Sequence, residues 1–104
     1  MNKKDNNRNE LLHYAAYDGQ TETVKSLIKS GANVNAKNNY GWAPLHEASY
    51  YGHTDIARIL IESGANVNVK TQHLEFTPLH LAELHEHTDV AQVLIDAGGK
   101  KGKG

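Results

Sequence analysis

The chain contains no cysteine. A disulfide framework and a thiolate metal site are therefore both excluded. Such a composition suits a reducing compartment, and a cytoplasmic protein is expected. No apolar run approaches the roughly 20 residues needed to span a bilayer, so a membrane helix is not expected. The opening stretch Met1-Asn2-Lys3-Lys4-Asp5-Asn6-Asn7-Arg8 is charged and leads into no long apolar segment, unlike a secretory signal. The glycine-rich dinucleotide fingerprint, the phosphate loop and the Gly-x-Ser-x-Gly elbow are all missing. Ser26, Ser30, Ser49 and Ser63 have no catalytic motif around them. Neither a cofactor nor a reaction is signalled, and an enzyme is not expected.

An excess of basic residues is also lacking where it would matter for nucleic acid. Between Asn9 and Gly98 eleven acids face five bases, while the two ends carry the remaining lysines and an arginine. An acidic body with basic ends does not grip phosphate backbones. The lysines at the C-terminal end read as a solubilising tail.

What the sequence does have is a repeat. Glu10-Leu11-Leu12-His13-Tyr14-Ala15-Ala16 lines up with Ala43-Pro44-Leu45-His46-Glu47-Ala48-Ser49 and with Thr77-Pro78-Leu79-His80-Leu81-Ala82-Glu83. The same register recurs in Thr21, Thr54 and Thr88, in Leu27, Leu60 and Leu94, and in Gly31, Gly64 and Gly98. Gly31-Ala32-Asn33-Val34-Asn35 reappears as Gly64-Ala65-Asn66-Val67-Asn68. Each unit reads as two short helices and a hairpin. Thr77-Pro78 is a helix start, with a capping hydroxyl and proline at the first helical position. Gly19 and Gly52 close the first helix. The threonines that follow are expected to cap the second, whose apolar positions Ile56, Ile59 and Leu60, then Val90, Val93 and Leu94, keep helical spacing. Asn33 to Gly41 is rich in turn formers and has no helical stripe. One such unit cannot bury its own apolar faces, so three are expected to stack around a continuous core.

This pattern resembles the ankyrin repeat, with its period of about 33 residues and its Thr-Pro-Leu-His-x-Ala signature. The full signature stands only in the third unit; the second has Ala43 for threonine, and the first has Glu10-Leu11 for Thr-Pro. Two glycines are also replaced in the third unit, by Glu75 in the hairpin and by Glu86 between the helices. The resemblance implies an all-α solenoid of helix–turn–helix units joined by projecting β-hairpin loops. The expected organisation is a charged N-terminal arm over 1–8, one domain over 9–98 with repeats at 9–38, 39–71 and 72–98, and a flexible Gly/Lys tail over 99–104. Thr23 and Ser26 stand where the second repeat has Ile56 and Ile59, which suits a terminal, capping repeat. The third repeat keeps Val90 and Val93 there; its outer face is either a poor cap or a contact surface, including for weak self-association of an otherwise monomeric chain.

By the same resemblance His13, His46 and His80 are structural hydrogen-bonding residues, and His53 and His87 are the histidines common in the inter-helix turn. His73 and His85 remain. With His87 they could form a metal or catalytic site if their loops converged, although His85-Glu86-His87 lacks the spacing of the His-Glu-x-x-His zinc helix. Asn35 and Asn68 each follow a leucine by eight residues, Leu27 and Leu60. That resembles the hairpin sequence recognised by asparagine hydroxylases; the alternative is that these asparagines simply stabilise the turn.

The resemblance further implies partner contacts from the hairpins and from the exposed side of each first helix. No aromatic residue lies in a second helix. Aligned by the repeat, the positions implied for partner binding are Tyr17, Asp18, Tyr40, Trp42, Tyr50, Tyr51, Phe76, Leu84 and His85. Tyr14 falls at a position expected to pack between repeats. Tyrosine and tryptophan anchor interfaces because they give rigid area with a polar tip. The expected activity is binding of another protein, as recruiter or inhibitor, through an aromatic and acidic concave face. Its partner would be apolar at the centre and basic around it. Neither nucleic acid nor membrane is an expected partner.

Overall fold

The computed structural model describes residues 3–102, with side chains from Arg8 onward; Met1, Asn2, Lys103 and Gly104, parts of the expected arm and tail, lie outside the described residues. Six helices follow one another: α1 Lys3–Asp18, α2 Thr21–Lys29, α3 Pro44–Tyr51, α4 Thr54–Glu62, α5 Pro78–Leu84 and α6 Thr88–Asp96. They pair as α1 with α2, α3 with α4 and α5 with α6. The pairs then stack, so that α1, α3 and α5 form one layer and α2, α4 and α6 the other. The stack measures 36 × 27 × 21 Å.

Repeat-equivalent residues build the core. Leu12, Leu45 and Leu79 are buried at equivalent places in the three first helices, and Ala15, Ala48 and Ala82 let neighbouring helices approach closely. Leu60 and Leu94 are wholly buried in the second layer. Two asparagines brace the stack from the hairpin side. The side-chain amide of Asn35 donates to the Gly64 carbonyl at 3.1 Å and its oxygen accepts from the Asn66 amide at 2.7 Å. Asn68 repeats this with Gly98 and Lys100, at 3.2 and 2.7 Å. Asn35 and Asn68 are therefore engaged in holding successive repeats together.

Several local expectations change. Helix α1 reaches back to Lys3, so the arm expected over 1–8 continues the first helix in its described part. No proline or glycine stands between Lys3 and Leu11 to stop it. The tail is docked at its start: the Thr77 hydroxyl donates to the Lys100 carbonyl at 2.6 Å, and Lys101 pairs with Glu83 at 3.1 Å. Thr21, Thr54 and Thr88 are first helical residues instead of caps; the cap positions belong to Gln20, His53 and His87, whose side chains make no capping hydrogen bond to their own helix. Thr77 does cap, accepting from the His80 amide at 3.2 Å. The hairpins contain no strand among the described residues. Asn38 closes the first through its amide to the Trp42 carbonyl at 2.9 Å, and Thr71 closes the second through its amide to Phe76 at 3.0 Å. Val90 is fully buried in the stack and Val93 partly so. The outer face of the third repeat instead shows Ile95, whose counterparts Ile28 and Ile61 are packed against the core.

Candidate functional site on the concave face

Two of the signature histidines, His13 and His46, set hairpins against the first helices. The Nδ1 of His46 accepts from the Ala43 amide at 2.9 Å, which fixes the tautomer: Nε2 carries the proton and donates to the Val69 and Phe76 carbonyls at 2.9 and 3.0 Å. Burial pushes this histidine down to about 4, against the opposing pull of those two carbonyls. It is a neutral structural clip between repeats two and three. His13 makes the matching bond to the Ala36 carbonyl at 2.9 Å, but its buried Nδ1 has no partner. The equivalent amide is that of Glu10, which here lies inside α1. Burial lowers the His13 pKa as well.

His53 and His87 reach back one repeat, donating from Nε2 to the Tyr17 and Tyr50 carbonyls at 2.9 Å each. Each ring thereby ties the end of one first helix to the next inter-helix turn. This bears on the alternative metal site. His87 is committed to Tyr50, the His85 ring lies tilted against the Tyr50 ring at 4.0 Å, and His73 sits exposed in the second hairpin. Among the described residues no group of three potential ligands gathers around a common point.

The repeat stacking brings most of the aromatic positions together. Tyr17 meets Tyr51 edge-on at 4.7 Å, Tyr51 meets Tyr50 at 4.7 Å, and Tyr50 meets Trp42 at 5.6 Å. Trp42 also lies over His46 at 5.7 Å, so one run of rings crosses from the first repeat to the third through His85. Tyr17, Tyr51 and His85 are exposed, while Trp42 and Tyr50 are half-buried. Phe76 stands apart, stacked on His80 at 4.4 Å. Leu84 is exposed at the end of α5, and Asp18 accepts from Gln20 at 2.8 Å.

Tyr40 is 76% exposed at the tip of the first hairpin. It overhangs a groove of about 870 Å³ between α1, that hairpin and α3, lined also by His13, Tyr14, Tyr17, Glu47 and Tyr51. Two of these residues were not legible as site residues from the sequence. Tyr14 does not pack between repeats; it is 69% exposed, because its position faces the side of α1 on which no earlier repeat lies in this structure. Glu47 is half-buried, with no side-chain hydrogen bond or ion pair among the described residues, and burial raises its carboxyl to about 7. One signal could have found it: the aligned residue of the third repeat is Leu81.

No helix among the described residues is long and apolar enough to cross a membrane. The family model described as "Ankyrin repeats (3 copies)" matches residues 1–71, more than half of the chain, and the one described as "Ankyrin repeat" matches residues 75–101. Curated relatives include the ankyrin repeat protein OPG189 of vaccinia virus, strains Copenhagen and Western Reserve. Each is 48% identical over 40 residues, covering 38% of this chain and 7% of the viral protein. The chain thus spans only a small part of the length of these relatives. Ankyrin repeats are generally protein–protein interaction modules and typically non-enzymatic. In its repeat register, its signature motifs and its stacked helix pairs alike, the chain belongs to the ankyrin-repeat family.

Proposed function

We propose that this chain binds another protein through its concave face, with the partner's apolar centre on the ring run and basic residues around it. The observation that carries this reading is the run Tyr17–Tyr51–Tyr50–Trp42, continued by His85, which spans three repeats and stays partly open to solvent. Rigid aromatic area with polar tips is what interface hot spots are made of. Eleven acids against five bases between Asn9 and Gly98 favour a basic partner and disfavour single-stranded nucleic acid, which wants a basic groove beside its stacking rings. Recruitment and inhibition by covering a partner's site use the same contacts.

The test is affinity capture with the wild type and with Tyr40→Ala/Tyr51→Ala, followed by titration of whichever protein is captured. Tyr40 and Tyr51 are both exposed, so the variant keeps its fold. Binding lost with the melting temperature kept supports the reading. Undiminished binding by the double variant overturns it.

A further inference from the structure

The groove between α1 and α3 holds a carboxylate that the fold does not need. The repeat register places Tyr14, Glu47 and Leu81 at equivalent positions. In the third repeat this position is filled by a leucine that is 1% exposed, so the junction between repeats two and three is closed by an apolar side chain. At the junction of repeats one and two, the same position carries Glu47. It is half-buried, has no side-chain hydrogen bond or ion pair among the described residues, and lines an open groove. Burying an unpaired carboxylate costs stability, and the third repeat shows the apolar solution this architecture can accept. The first junction thus keeps an ionisable group where the second has an apolar one.

The surroundings define the use. From α1 the groove is faced by Glu10, His13, Tyr14 and Tyr17; from the hairpin by Lys37 and Tyr40; from α3 by Tyr51. Lys37 is turned toward the next repeat, with its ammonium 3.4 Å from the Lys70 carbonyl, and does not pair with Glu47. The aromatic faces offer negative potential to a cation, and the Glu47 carboxyl in the lining adds a negative charge when it is ionised. Tyr51 senses that charge: its hydroxyl pKa is raised, first by partial burial, then by Tyr17, Tyr50 and Glu47.

We propose that this groove is a subsite for a cationic side chain of the bound protein, a lysine or arginine, with Glu47 as its counter-ion and Tyr17, Tyr40 and Tyr51 as its walls. The assignment rests on the protein-binding reading above and names the chemistry that one part of the face selects. Entry of a cation repairs the uncompensated carboxylate and shields the ammonium or guanidinium between rings. A neutral side chain of the same length gains only the apolar contact.

The experiment uses small probes, so that it does not depend on knowing the partner. N-acetyl-lysine methylamide and N-acetyl-norleucine methylamide are titrated into the full chain, following the tyrosine ring signals and the Glu47 carboxyl carbon by NMR. The lysine probe should give saturable shifts at Tyr40, Tyr51 and Glu47, and should move the Glu47 titration to lower pH. Norleucine should bind about fivefold more weakly or worse, and Glu47→Gln should weaken the lysine probe by about the same factor. Glu47→Leu, which copies the third repeat, should keep the helical spectrum and the melting temperature while losing the lysine response. No saturable response to lysine, an equal response to norleucine, or an unchanged response in Glu47→Gln would each overturn the subsite. Those results would leave protein binding by the ring run standing, since that is read separately from Tyr40→Ala/Tyr51→Ala.

Discussion

A Cβ added at Gly19 would lie 2.7 Å from the ring of His53, so the glycine that ends the first helix of repeat one and the histidine that opens the second helix of repeat two occupy one shared space. Gly52 and His87 stand in the same relation, also at 2.7 Å. The two glycines have φ of +77°, which already favours glycine, but the ring contact adds a second requirement. In the third repeat the corresponding residue is Glu86, at φ 59°. There no histidine of a following repeat packs on the turn among the described residues, and a side chain is accommodated. Gly41 and Glu75 differ for the same reason: a Cβ on Gly41 would meet Gln72 at 2.6 Å.

Gly19→Ala is therefore expected to cost roughly 2–3 kcal/mol, combining left-handed strain with displacement of the His53 ring from the Tyr17 carbonyl. Glu86→Gly should change stability by less than about 1 kcal/mol, with relief of strain offset by a more flexible unfolded chain. Urea unfolding of both variants checks this. Equal effects at the two positions would show that φ alone decides.

Asn35→Ala should destabilise by about 1–2 kcal/mol, through loss of two hydrogen bonds between repeats. Asn35→Asp should be intermediate, since it keeps the acceptor for the Asn66 amide and loses the donor to Gly64. Native mass spectrometry of protein expressed in its own cells would show whether either hairpin asparagine also gains an oxygen.

Trp42→Ala is expected to lower stability by roughly 1–2 kcal/mol, because the half-buried ring packs on His46 and Tyr50. Tyr40→Ala should stay within about 0.5 kcal/mol of wild type, as expected for an exposed position without structural partners. Thermal melts of the two variants, run beside partner affinity, separate packing from recognition. If Tyr40→Ala melts as low as Trp42→Ala, the hairpin tip is structural.

Acid should destabilise the fold through its histidines. With His46 held at about 4 and His13 also lowered, the unfolded chain binds more protons between pH 6.5 and about 4, so stability falls as pH drops through that window. Glu47 acts in the opposite sense. Its folded carboxyl, at about 7, holds a proton that the unfolded chain has already lost above about 4.5, so stability falls as pH rises from there to about 7. Glu47→Gln should steepen the acid limb and raise stability at pH 7 and above by about 1 kcal/mol, a modest figure because the groove is open to water. Denaturant midpoints between pH 4 and 8 provide the measurement. An unchanged profile in the variant would mean that Glu47 is fully solvated.

Much of the site was written in the repeat. The repeat register puts Tyr17 and Tyr50 at one level, Tyr40 and Trp42 in a hairpin, and Phe76 at the place equivalent to Trp42. Glu47 is not legible as a site residue because a glutamate on a helix usually faces water. Tyr14 was read inward because its counterparts sit at junctions; only the stack shows that in the first repeat that side is open. His85 is legible as a position but not as a ring set against Tyr50, which comes from the neighbouring repeat.

By itself the sequence determined the units: their register, their helix pairs, their buried leucines and alanines, and the proline-led starts of α3 and α5. These depend on local periodicity and on backbone preferences that act within about thirty residues. The tertiary structure alone decided what happens between units. It set which glycines must lack a side chain, which histidines clip to which carbonyl, and where a carboxylate is left unpaired. The physical reason is that each of these is a contact between residues about 23 to 37 positions apart, whose cost or benefit exists only after one repeat has docked on the next.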